Sequence, residues 1–142
     1  RIKIRLAISL HSAREEVRKK IMPFTEKIPL KNLKESLLYW QNRNKKILTL
    51  EYIVLDSVND LKEDVLALIE FCKGLQVKIN LIEYNPIENT TFKQANNNVI
   101  ELYKNELIKH NITVTIRKSR GKDIDAACGQ LVNKSKNFFN LA

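Results

Sequence analysis

The sequence predicts an α/β protein, a parallel sheet of about four strands joined by crossover helices. Three observations predict it. Short apolar, β-branched runs alternate with amphipathic stretches, the order being β-α-β-α-β-α-β, and cap and turn residues punctuate the boundaries. Strands separated by helical crossovers return parallel to one another. Finally, 142 residues at 44% hydrophobic with only 3 Gly and 3 Pro suit one globular domain with a sizeable core.

The first strand is Ile4 to Leu10, closing on polar residues. Ser12 sits three residues before Glu15, a capping-box spacing that opens a helix through about Met22. Pro23 and Pro29 bracket a loop. Leu30, Leu33, Leu37 and Leu38 form a helical stripe through about Asn42. Ile47 to Leu55 is the second strand. Asn59 or Asp60 caps the next helix, whose apolar face is Leu61, Val65, Leu68, Ile69 and Cys72, and Gly74 stops it. Val77 to Tyr84 is the third strand, closed by Asn85-Pro86. Ile100, Tyr103 and Leu107 mark a helix from about Asn96 to His110, Ile112 to Ile116 is the fourth strand, and a polar tail follows.

No apolar run approaches the length of a membrane span, and the alternating start Arg1-Ile2-Lys3-Ile4-Arg5 is no signal peptide. Two cysteines are too few for a disulfide framework, so a reducing cytoplasm is expected and the three Asn-x-Ser/Thr sequons carry no meaning. A start on a strand without Met suggests a piece of a longer protein. The net charge of +9 is uneven: residues 1–50 hold 13 basic and 4 acidic side chains, 51–110 hold 6 and 10, and 111–142 hold 6 and 2. Basic ends around an acidic middle suit a polyanion such as nucleic acid, against the bland alternative of a Lys-rich solvated exterior.

In parallel α/β sheets the ligand lies beyond the carboxyl ends of the strands. That rule gathers Ser9 and His11, Asp56, Asn85, and Arg117 to Arg120 on one rim. Taken singly, each has an ordinary reading: His11 a hydrogen-bonded structural histidine, Asn85 a turn residue, Asn59-Asp60 a cap, Cys72 a small core residue, and His110 a cation complementing a helix terminus. Cys128 differs. It follows two alanines, precedes a glycine, and lies near Arg117, Lys118, Arg120 and Lys122, an electropositive setting suited to a thiolate nucleophile, although Asp123 and Asp125 oppose it. No metal-ligating cluster, Walker loop or Gly-x-Gly-x-x-Gly is present.

The stretch Arg117-Lys118-Ser119-Arg120-Gly121-Lys122-Asp123-Ile124-Asp125-Ala126-Ala127-Cys128-Gly129-Gln130-Leu131 closely resembles the C-terminal signature of the RlmN family. Three further landmarks fall in that family's order: Leu6 to Ser12, Leu55 to Asp60, and Asn80 to Pro86. The family has glycine more often than the Ser57 found here. The resemblance covers essentially the whole chain, as the later part of a family member. It implies a radical S-adenosylmethionine (SAM) enzyme that methylates adenine C2 in 23S rRNA and in tRNA. A cysteine matching Cys128 takes a methyl group from one SAM. A second SAM, cleaved at a [4Fe-4S] cluster, generates the radical that activates that methyl, and a second cysteine resolves the RNA adduct.

The same resemblance puts Ser9, Leu10, His11 and Asn85 against SAM. Arg117, Lys118, Arg120 and Lys122 are assigned to RNA phosphates on charge. The cluster-binding cysteines, the Gly-Glu SAM motif and the resolving cysteine belong upstream, so this chain holds no cluster ligand. It is expected to be the second half of a partial (β/α)6 barrel, with residues 117–142 as the methyl-carrying tail, and to be inactive alone. Its first strand offers an edge for self-association. The alternatives are a Cfr-like C8 methyltransferase, whose tail departs from the Arg-Lys-Ser-Arg-Gly run, a non-catalytic RNA-binding module, and a generic small-ligand α/β module.

Overall fold

A computed structural model describes residues 4–86 and 91–119. Four strands, β1 (Ala7–Ser9), β2 (Leu48–Val54), β3 (Val77–Tyr84) and β4 (Thr113–Ser119), form one sheet in the order β1-β2-β3-β4, every pairing parallel. Between β1 and β2 run α1 (Glu15–Ile21), a 3₁₀ turn (Pro23–Lys27) and α2 (Leu30–Asn44). Helix α3 (Lys62–Cys72) joins β2 to β3, and α4 (Asn97–Lys109) joins β3 to β4. The parallel α/β sheet expected from the sequence is therefore present.

Strand alternation sends successive side chains to opposite faces. Leu48, Leu50, Tyr52 and Val54 of β2, with Ile79 and Leu81 of β3, form the main core. Against them pack Leu37 of α2, Val65, Leu68, Ile69 and Cys72 of α3, and Ile100, Tyr103 and Leu107 of α4. The i, i+3, i+4, i+7 spacing on α3 is the reason this segment is a helix and the reason it lies here. The opposite face has a smaller apolar cluster near the strands' carboxyl ends, where α1 sets Val17 and Ile21, with Met22 just beyond it, on Ile53, Leu55, Ile82 and Tyr84.

Several boundaries differ from the expectation. The described part of the first strand narrows to Ala7–Ser9, at one edge of the four strands. Ser12 does not cap α1: its Oγ accepts the Arg14 N–H at 3.0 Å, while the Glu15 carboxylate takes the N–H of Leu30 at the start of α2. The segment between the two prolines is a 3₁₀ turn, with the Thr25 hydroxyl donating to the Met22 carbonyl at 2.7 Å. Neither Asn59 nor Asp60 is the N-cap of α3; Leu61 is, and Asp64 Oδ2 accepts its N–H at 3.0 Å. Asn96 does cap α4, accepting the Asn98 N–H at 2.9 Å. Strand β4 runs on to Ser119, so Arg117 and Lys118, assigned to the tail, belong to the sheet. The rest of that tail, with Arg120, Lys122 and Cys128, lies outside the described residues.

Candidate functional site

Because all four strands are parallel, their carboxyl ends share one rim. Ser9 ends β1 exposed, level with Glu51 of β2. Leu10 is fully buried, its N–H donating to the Glu51 carbonyl at 2.9 Å and its carbonyl accepting from Arg18 Nε at 3.2 Å. Arg18 also donates to the Ile28 carbonyl at 3.4 Å, so one buried guanidinium ties the rim to the turn before α2. Burial pulls its pKa down from the usual guanidinium value, and the Glu15 charge opposes that.

At His11 the chain turns into the left-handed region, φ 58°, and β1 leaves the ladder. Two side chains then satisfy the end of β2. His11 Nδ1 accepts the Ile53 N–H at 3.0 Å, so in the neutral ring the proton is on Nε2. The Asn59 amide donates to the carbonyls of His11 at 2.8 Å and Ile53 at 2.7 Å, and accepts the Leu55 N–H at 2.7 Å. On the far side, Tyr103 of α4 donates to the Asn59 carbonyl at 2.6 Å and meets the Tyr52 hydroxyl at 2.8 Å. A continuous buried relay thus runs from a crossover helix to the rim. It is also why Asn59 is no helix cap: the unpaired end of β2 offered it more.

Asp56 is half-exposed at the rim, followed by Ser57 at φ 58°, the left-handed turn in which a glycine carries no penalty. Asn85 leaves β3 with its N–H donating to the Ser119 carbonyl at 2.6 Å, which brings the ends of β3 and β4 together. Arg117 and Lys118 are exposed on β4 and point to opposite faces. Arg117 lies on the face away from α2, α3 and α4, its Nη2 3.3 Å from Glu51 Oε2. Lys118 lines a cleft with Glu83, Asn97 and Glu101, toward α4.

The sequence reading missed a polar row on that face, opposite α2, α3 and α4. Ser9, Glu51, Asn80 and Thr115 occupy one level across the four strands. Asn80 Nδ2 donates to Glu51 Oε1 at 3.0 Å, and the Thr115 hydroxyl donates to Asn80 Oδ1. Its signal was the polar residue at every second strand position: Thr49 and Glu51, Lys78 and Asn80, Thr113 and Thr115. Among the described residues no three His, Cys, Asp or Glu side chains gather as a metal site. Cys72 is buried on α3 and desolvation pushes its thiol up to about 12, which excludes it as a thiolate nucleophile near neutral pH.

Around this end of the sheet stand the Ser9 hydroxyl, the Asp56 and Glu51 carboxylates and Asn85, while the His11 imidazole is buried, 1% exposed. The fold is similar to a segment of a radical SAM enzyme. The structure superimposes on a radical SAM methyltransferase from Sphaerobacter thermophilus with TM-score 0.79 and 31% identity, covering 91% of this chain and 38% of that one. A domain of a pyruvate-formate lyase-activating enzyme from Bacteroides vulgatus shares the fold, at TM-score 0.57 and 18% identity.

By sequence the chain is a relative of the RlmN proteins. It is 56% identical over 133 residues to the probable dual-specificity RNA methyltransferase RlmN of Christiangramia forsetii, and 53% identical to that of Flavobacterium psychrophilum. With the dual-specificity RNA methyltransferase RlmN of Pseudomonas entomophila it shares 41% over 135 residues. Each match covers 94% of this chain but only 36–38% of the relative, so the chain spans little more than a third of their length. No family model matches it. No helix among the described residues is long and apolar enough to cross a membrane.

Proposed function

We propose that this chain is the C-terminal part of a radical SAM enzyme that methylates C2 of an adenine in 23S rRNA and in tRNA, with Cys128 as the carrier of the one-carbon unit. The observation that carries the reading is the 56% identity to an RlmN sequence across nearly the whole chain, on a fold whose rim chemistry suits SAM. When bound together with its iron–sulfur cluster, SAM supplies both the carbon and the one-electron chemistry that an unactivated aromatic C–H requires. The cluster's ligands are not assigned to any residue of this chain.

The chain's own residues bind and orient. Ser9 offers a hydroxyl at the mouth of the rim. Leu10, its backbone engaged on both sides and its side chain sealed, is a rigid floor. His11 holds its imidazole in one tautomer through Ile53, and Asn85 offers a carboxamide where β3 ends. Lys118, Arg120 and Lys122 engage RNA phosphates, a salt-dependent and sequence-independent contribution, whereas Arg117, on the opposite face of β4 from Lys118 and 3.3 Å from Glu51, is not assigned to them. The test replaces Cys128 with Ala in the whole protein. RNA binding is expected to persist while adenine methylation stops; methylation by the Cys128→Ala protein would overturn the reading. Product analysis separates C2 from C8, and a methyl group at C8 would assign the chain to the Cfr-like alternative.

A further inference from the structure

Parallel sheets are ordinarily apolar on both faces, because helices cover both. Here the face away from the main helical layer carries the row Ser9, Glu51, Asn80 and Thr115, and among the described residues α1 covers only the level nearer the rim. Arg117, one level closer to the rim beside Ile82, reaches across β3 to Glu51. The Glu51 carboxylate is therefore held on both oxygens, by Asn80 at 3.0 Å and by Arg117 at 3.3 Å, while keeping 21% of its side chain exposed.

We infer that Glu51 is a further SAM-binding residue, accepting hydrogen bonds from a donor group of SAM, either the ribose diol or the α-ammonium, with Asn80 and Arg117 as its positioning residues. The inference rests on the reading that brings SAM to this rim. Three arguments carry it. A carboxylate accepts about four hydrogen bonds, and one donor on each oxygen leaves capacity on both. It is level with Ser9 and in the strand beside it, so it extends the same site across the sheet. And stability does not account for it: a partly exposed ion pair contributes about 0–1 kcal/mol, whereas a carboxylate already oriented by two donors binds a ligand without paying to be ordered. Its charge sign also excludes an RNA phosphate as the group it meets.

The test is calorimetric, on the whole protein with its cluster reconstituted. Two probes are titrated: S-adenosylhomocysteine, which has both donor groups, and 5′-methylthioadenosine, which has the ribose but no amino-acid end. Glu51→Gln is expected to weaken S-adenosylhomocysteine by about tenfold or more, with an unchanged unfolding midpoint. Loss for both probes identifies the ribose diol, and loss for S-adenosylhomocysteine alone identifies the ammonium. Unchanged affinity for both overturns the inference. Should Glu51→Gln fail to fold, Asn80→Ser leaves the charge but removes its orientation, and is expected to weaken binding severalfold; no change there overturns it equally. A wild-type protein that binds neither probe would instead sink the broader SAM reading, which separates the two failures.

Discussion

The relay behind the rim makes a directional prediction. Tyr103 has one hydroxyl proton and donates it to the Asn59 carbonyl at 2.6 Å, so the 2.8 Å bond between the two phenols must run from Tyr52 to Tyr103. Both rings are fully buried, and burial raises both phenols far above the usual tyrosine range, so they act as neutral hydroxyls. Tyr103→Phe then strands two buried groups, the Asn59 carbonyl and the Tyr52 O–H. At about 1–3 kcal/mol for each unsatisfied group, it should destabilise the fold by about 2–4 kcal/mol. Tyr52→Phe removes only a donor whose acceptor is engaged elsewhere, and should cost about 1 kcal/mol. The double variant should be no worse than Tyr103→Phe alone, since it also removes the stranded O–H. Urea unfolding of the three variants reads these differences. If Tyr52→Phe costs as much as Tyr103→Phe, the relay runs the other way and the reasoning fails.

Other expectations are local. Ser57→Gly should stabilise by about 0.5–1 kcal/mol, because relief of the left-handed turn outweighs an exposed bond from Ser57 Oγ to Asp56 at 3.2 Å; a thermal melt reads it. Gly74 sits at φ 82°, and a Cβ there would meet only Leu38 Cδ2 at 3.9 Å, so Gly74→Ala should cost about 1 kcal/mol from backbone strain alone, measured by the same melt. Cys72, its thiol raised to about 12, should resist iodoacetamide at pH 8 in a Cys128→Ala background and react once urea unfolds the chain. Its folded pKa lies above its unfolded one, so its contribution to stability is whole below about pH 9 and falls as pH rises toward 12.

How much of this was legible in the sequence depends on how local the cause is. Strand β3 is bounded as its apolar run suggests, Val77 to Tyr84, and α3 follows from four apolar residues at helical spacing, since burial period alone decides those elements. The misplaced caps share one cause. Ser12 with Glu15, and Asn59 with Asp60, are sound local motifs, but distant backbone groups compete for their side chains: the N–H of Leu30 takes Glu15, and the carbonyls of His11 and Ile53 take Asn59. A capping bond and a bond to an unpaired strand end are similar in strength, and the second also relieves a buried polar group, so tertiary structure wins.

The rim residues were accessible from topology, because a parallel sheet fixes which ends coincide. The polar row was not. Period-two alternation tells which face Glu51, Asn80 and Thr115 share, but their meeting depends on register between strands 29 and 35 residues apart, and a shift of one residue would send each to the other face. Register is set here by the apolar face, where Leu50 with Ile79 and Tyr52 with Leu81 pack beneath the helices. The main core therefore does more than stabilise the sheet: by locking the pairing on one side, it brings a carboxylate, a carboxamide and a hydroxyl into line on the other.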